Sequence, residues 1–141
     1  MSWEQVTFTL SPRNKGCYLI HDEVLKNVPQ IKDYQIGILH LFIKHTSAGL
    51  TLNENYDPDV RTDMDKALDR IVPEGDHYLH ADEGPDDMPS HVKSSIVGAS
   101  VSIPITNGKL NTGTWQNPYL CEFRRYKHSR TIIATINGQK K

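Results

Sequence analysis

With 141 residues, 37% apolar and 23% charged, the chain has the length and composition of one folded domain rather than of a disordered tail. A formal net charge of −1 leaves no global excess for gripping nucleic acid or an anionic membrane, so any electrostatic function must be local. Cys17 and Cys121 lie far apart without CxxC spacing and read as small, reduced core or edge residues.

The opening stretch MSWEQVTFTL lacks a basic, apolar leader, and no apolar run reaches the roughly 20 residues a bilayer requires. A soluble, cytoplasmic protein with neither membrane nor nucleic-acid partner is therefore expected. Trp3, Val6, Phe8 and Leu10 nearly alternate before the turn SPRNKG, which predicts a strand over 3–10 with residues 16–20 as its partner. HDEVLKNVPQI (21–31) carries Val24, Leu25 and Val28 at helical spacing ahead of Pro29 and reads as one short helix. In QIGILHLFIK (35–44), Ile36, Ile38 and Phe42 share one face and Leu39, Leu41 and Ile43 the other. That pattern predicts a strand covered on both sides.

A polar stretch follows and ends at Asp57-Pro58, an N-cap with proline at the first helical position. Val60, Met64, Ala67, Leu68 and Ile71 then recur on one face and predict a helix over 58–72. Residues 73–90 combine three prolines and two glycines with many carboxylates and read as a long loop, the kind usually reserved for function. HVKSSIVGA predicts a short helix over 90–98, and SVSIPI and KLNTGT form a hairpin turning at Asn107-Gly108. YLCEFRR and RTIIATI read as a further strand pair joined through KHS. The element order argues for a single α+β domain over 1–141, a mostly antiparallel β-sandwich-like fold with a few helices.

Of seven histidines, His45 leaves the end of the central strand, His80 sits in the acidic loop and His91 opens the helix after it. Imidazoles gathered from separate segments are common zinc ligands, with carboxylates completing the shell. Glu83, Asp86 and Asp87 stand between the last two histidines. The spacing is no short chelating motif, and the same residues suit a polar loop whose histidines hydrogen-bond carboxylates. The carboxylate excess needs compensation from a cation or from Lys93, Arg61 and Arg124. Asn53, Glu54 and Asn55 either line a pocket or cap the helix at 58. Asp57 and Asp59 would admit a phosphate there only through a bridging cation.

HTSAGLTLNEN-x-DPDV (45–60), H-x2-EG-x2-D (80–87), HVKSS (91–95) and SIPI-x2-GKL-x2-GTWQ-x3-LCEFR (102–124) together resemble the YjbQ-like family of secondary thiamine-phosphate synthases. The resemblance spans nearly the whole chain. It implies a homotrimer and a divalent metal ion, zinc or magnesium, held by His45, His80 and His91. Asn53, Glu54, Asp57, Glu83, Asp87 and Lys93 are the implied catalytic residues, with Glu122 nearby. The implied activity joins a hydroxymethylpyrimidine diphosphate to a thiazole phosphate. The alternatives are metal-dependent hydrolysis of small phosphorylated molecules and a non-catalytic, small-ligand-binding trimer. One departure stands out: Asn117 follows GTWQ where the family carries glycine, a residue suited to close approach or to positive φ.

Overall fold

Alternation along the strands sorts apolar side chains to one face, and two such faces meet in the computed structural model, which describes residues 1–141. The strands are β1 (Ser2–Thr9), β2 (Gly16–Leu19), β3 (Tyr34–Ile43), β4 (Ala48–Glu54), β5 (Ser100–Thr106), β6 (Lys109–Leu110), β7 (Gln116–Glu122) and β8 (Thr131–Lys140). The helices are α1 (His21–Asn27), α2 (Pro58–Ile71) and α3 (Asp87–Val97), with a 3-10 turn at Pro29–Asp33. A five-stranded sheet, β1-β8-β3-β5-β6, faces a three-stranded sheet, β2-β7-β4, and every pairing is antiparallel. This is the expected α+β architecture.

The main core lies between the sheets. Leu39, Leu41 and Ile43 of β3 and Ile132, Ala134 and Ile136 of β8 meet Ala48, Leu50 and Leu120 of the small sheet. Val24, Val28 and Ile31 close one end. Each Val, Leu or Ile among them contributes about 1.5–3 kcal/mol on burial. A second cluster forms on the other face of the small sheet, where Tyr119, Cys121 and Phe123 pack with Cys17 and with Leu68 of α2. Both cysteines are free and buried, as read from their spacing. Opposite α3, a Cβ on Gly49 would meet the Gly98 carbonyl oxygen at 2.9 Å, so only glycine lets β4 lie this close to the helix end. No helix is long and apolar enough to cross a membrane.

Several expectations are corrected. β1 pairs with β8 and β2 with β7, so the first two strands belong to different sheets. YLCEFRR and RTIIATI likewise separate, because β7 lies between β2 and β4 while β8 lies between β1 and β3. The polar stretch after β3 contains a full strand, β4, whose Ala48 and Leu50 reach the core. Residue 28 ends α1, and the proline after it starts the 3-10 turn, because a proline ring cannot continue a helical hydrogen-bond ladder. α3 begins at Asp87 rather than 90, with Pro89 tolerated in the first turn.

β3 is central but covered on one face only. Ile36 is 62% exposed, and Ile38 and Phe42 stand beside it on the open face of the large sheet, where Trp3 of β1 is also bare. The hairpin expected at residues 107 and 108 is present, with both residues at positive φ (51° and 76°), the signature of a type I′ turn. Asn117 needs no such conformation. It pairs with Asn53 in the β4–β7 ladder, and Asn107 is the only non-glycine residue at positive φ.

Candidate functional site

Asp87 opens α3, and the i,i+4 repeat of the helix places His91 on the same face one turn later. The preceding loop brings back His80 and Glu83. Ligand atoms of His80, Glu83, Asp87 and His91 all lie within 4.8 Å of one another. His80 Nε2 stands 2.8 Å and His91 Nε2 3.1 Å from the same oxygen, Asp87 Oδ2, while Glu83 Oε2 is 3.5 Å from His80 Nε2. Asp87 is almost fully buried, whereas His80 and Glu83 open to solvent.

The proton count at His91 decides what this cluster can do. Its Nδ1 is 2.7 Å from the Thr46 carbonyl oxygen, which can only accept, so Nδ1 carries the proton. In the neutral ring Nε2 then presents a lone pair to Asp87 Oδ2, and in the doubly protonated ring it donates to that oxygen. Burial opposes charge on Asp87, but the His80 hydrogen bond and the charges of His91 and Arg124 outweigh it and hold the carboxyl below the usual range. With a neutral ring two acceptors would face one another, and either a second proton on His91 or a cation between them relieves the contact.

The donor set passes the test for a cation. Tetrahedral zinc at its usual bond lengths separates its ligands by roughly 3.3 Å; three of the six donor separations here are 2.8, 3.1 and 3.5 Å, and all lie within 4.8 Å. Two imidazole nitrogens suit zinc and neighbouring transition metals better than magnesium, which takes oxygen donors.

Asp87 is oriented from behind. Arg124 donates from Nη1 to Asp87 Oδ1 (2.8 Å), from Nε to Asp86 Oδ2 (3.0 Å) and from Nη2 to the Glu83 carbonyl oxygen (3.0 Å). One guanidinium therefore ties three positions of the acidic loop to the end of β7. The Arg125 backbone N–H also donates to Asp86 Oδ2. Burial opposes charge on Asp86 as well, and these two donors outweigh it and lower its pKa.

His45 stands apart from this cluster. Its Nε2 accepts the Thr131 backbone N–H at 2.8 Å, which pins the β3–β4 connection to β8. Burial and then the Arg130 charge lower its pKa, so the ring is held neutral. His45 and His91 do share the wall of a hollow of about 340 Å³, with Thr46, Ser94 and Ser95 beside them. Lys93 also turns away: its Nζ pairs with Asp69, which Lys15 bonds from the other side, so these lysines fasten α3 and the turn before β2 to α2.

Asn53, Glu54 and Asp57 serve the far end of β4. Asn53 Oδ1 accepts the Glu54 N–H, Glu54 Oε1 accepts the N–H groups of Tyr56 and Asp57, and Asp57 Oδ1 caps α2 by accepting the Asp59 N–H at 2.9 Å. Six strand residues at about 3.3 Å each put them roughly 20 Å from the end where α3 meets β4.

Arg130 was not singled out by the sequence. It bonds Glu122 through Nε (2.6 Å) and Nη2 (2.6 Å), and Nη2 also reaches Ser47 Oγ at 2.9 Å, all out of contact with solvent. Its signal was weak, a lone arginine at the start of an apolar strand opposite an equally lone glutamate. The pair holds the segment that presents Thr46 to His91.

The UPF0047 protein YjbQ-like family model matches residues 6–139. UPF0047 protein YjbQ of Escherichia coli O157:H7 is 49% identical over 137 residues, covering 97% of this chain and 99% of that protein. A UPF0047 protein of Synechocystis sp. is 42% identical over 136 residues, covering 96% and 92%. Among solved structures, a YbjQ-like protein of Sulfolobus solfataricus P2 superimposes with a TM-score of 0.86 at 23% identity, covering 98% of this chain and 99% of that one, a likeness of fold alone. A YjbQ/UPF0047 family protein of Clostridium acetobutylicum gives a TM-score of 0.79 at 36% identity, covering 91% and 97%.

Proposed function

The chain belongs to the UPF0047 YjbQ-like family, and we propose that it is a divalent-metal-dependent enzyme that hydrolyses a small phosphorylated molecule at the His80, Asp87 and His91 cluster. The observation that carries this reading is the convergence of His80 Nε2 and His91 Nε2 on one oxygen, Asp87 Oδ2, with Glu83 beside them. A bound divalent ion supplies Lewis acidity toward a phosphoryl oxygen and acidifies a water molecule. Glu83, the most exposed of the four, would be the carboxylate to take up a proton from water there. Arg124 keeps Asp87 in place, and the Thr46 carbonyl fixes the His91 ring. The hollow beside His91 is of a size to take a small substrate.

Thiamine-phosphate synthesis is the second reading. Tyr56 and Trp115, exposed and stacked edge to face at 5.4 Å, offer a surface for a heteroaromatic ring. Against it, Lys93 and Arg124 are already bonded to carboxylates, which leaves only Lys44 and Arg61 of the cations near the motifs for two phosphorylated substrates.

Assembly as a homotrimer belongs to the same proposal. The bare apolar side chains Trp3, Ile36, Ile38 and Phe42 on one sheet face gain by being covered with another copy. Light scattering is expected to report three chains, reduced to one by Phe42→Glu, and a monomeric wild type would remove that part.

The deciding experiment combines elemental analysis of untagged protein with assays of phosphomonoester hydrolysis and of thiamine-phosphate formation. One metal ion per chain and hydrolysis that needs both metal and Glu83 support the first reading. Product from the pyrimidine and thiazole phosphates without hydrolysis transfers support to the second. Metal retained without either reaction leaves a binding protein.

A further inference from the structure

We infer that a second ligand site, sharing no residue with the histidine cluster, lies between α1, the 3-10 turn and the β5–β6 hairpin and takes a small amphiphile with one anionic head. The pocket encloses about 580 Å³, within the range of small-molecule sites. Its apolar wall is made by Leu25, Val28, Ile31 and Leu110. Lys32, Lys109 and Lys141 also line it, and no Asp or Glu side chain does.

That asymmetry is informative. The chain holds 16 basic against 17 acidic side chains, yet three lysines and no acidic side chain line this one concavity. An apolar wall with a cationic rim is complementary to an apolar body carrying one carboxylate or phosphate, and repels cationic partners.

Two further features fit. His21, also in the wall, has an Nδ1 that is shielded from water and without a hydrogen-bond partner, a polar atom left for a guest to satisfy. The type I′ turn brings backbone close in: a Cβ on Gly108 would meet the Lys32 carbonyl oxygen at 2.8 Å and Lys141 Nζ at 2.9 Å. The turn glycine thus lets the lysine-bearing segments crowd one rim.

The test is titration of isotope-labelled full-length protein with octanoate, octyl phosphate and neutral octanol, read from the backbone amide signals of Gly108 and Leu110. Saturable shifts with either anion, and at least tenfold weaker binding of octanol, are expected. The stronger of the two anions identifies the head group. Combined Lys32→Glu, Lys109→Glu and Lys141→Glu substitution, on exposed side chains that leave the core intact, is expected to weaken anion binding at least tenfold. Equal binding of octanol, unchanged binding in the triple variant, or shifts confined to the open sheet face around Ile38 and Phe42 would overturn the site.

Discussion

Two charged constellations hang from the same end of β7, and they are built on opposite principles. Glu122 and Arg130 form a closed pair: both carboxylate oxygens are bonded to the guanidinium, Ser47 takes a further donor, and water is excluded. Two residues on, Arg124 reaches instead to Asp86 and Asp87, whose far side opens onto two histidines with an excess of acceptors. The Arg124 N–H donates to Glu122 Oε2 at 3.0 Å, so the closed pair is the footing of the open one. Saturated charge is a scaffold, whereas charge left short of donors is where a cation and its chemistry belong.

The contrast is broken most severely at Arg130. Arg130→Met strands Glu122 in the interior and is expected to cost about 3–5 kcal/mol in urea unfolding. A loss below about 1 kcal/mol would mean the pair is no scaffold.

His91→Ala should do the reverse, leaving the urea midpoint nearly unchanged while weakening zinc binding more than about 100-fold, or about 2.8 kcal/mol, by calorimetric titration. Unaltered affinity would show that the cluster does not hold the ion.

Arg124→Met keeps every proposed ligand but removes the group that orients Asp87, and is expected to weaken zinc binding about 10- to 100-fold. Because Arg124 helps to hold the Asp87 pKa low, its removal should also shift the pH at which protons displace metal upward. An unmoved midpoint would show that Arg124 does not tune Asp87.

The smallest effect concerns His45. Its folded pKa lies below the ordinary 6.5, with Arg130, Glu122, His128 and Lys44 as its charged neighbours. As pH falls through 6.5 the unfolded chain takes up the proton first, so stability is full above that value and declines below it toward the folded pKa. His45→Gln, which preserves an acceptor for the Thr131 N–H, is expected to flatten the slope of melting temperature between pH 6.5 and 5. A slope equal to that of the wild type would place its origin elsewhere.

Much of the fold was legible because its signals are local. The residue pair 57–58 announces the start of α2, residues 107–108 the hairpin, and the alternation from 36 to 43 the central strand. The site was legible in part: His80 and His91 do converge with Glu83 and Asp87, whereas His45 is spent on the Thr131 amide and Lys93 on Asp69. No spacing rule distinguishes a histidine facing a metal site from one facing a neighbouring strand, because that choice depends on which backbone donor the fold sets opposite the ring.

Strand partnership was decided at longer range. Cys17 faces Cys121 with sulfurs 3.6 Å apart across 104 residues of sequence, a pairing no local pattern encodes. The sequence by itself determined the elements, their amphipathic faces and the donor types available to a site, since these follow from backbone sterics and side-chain chemistry over a few residues. Only the tertiary structure decided which strands share a sheet, that one apolar face stays open, and that Arg124 and Arg130 divide β7 between a site and its support. Those outcomes are set by burial and charge pairing among groups that meet only after the chain has closed on itself.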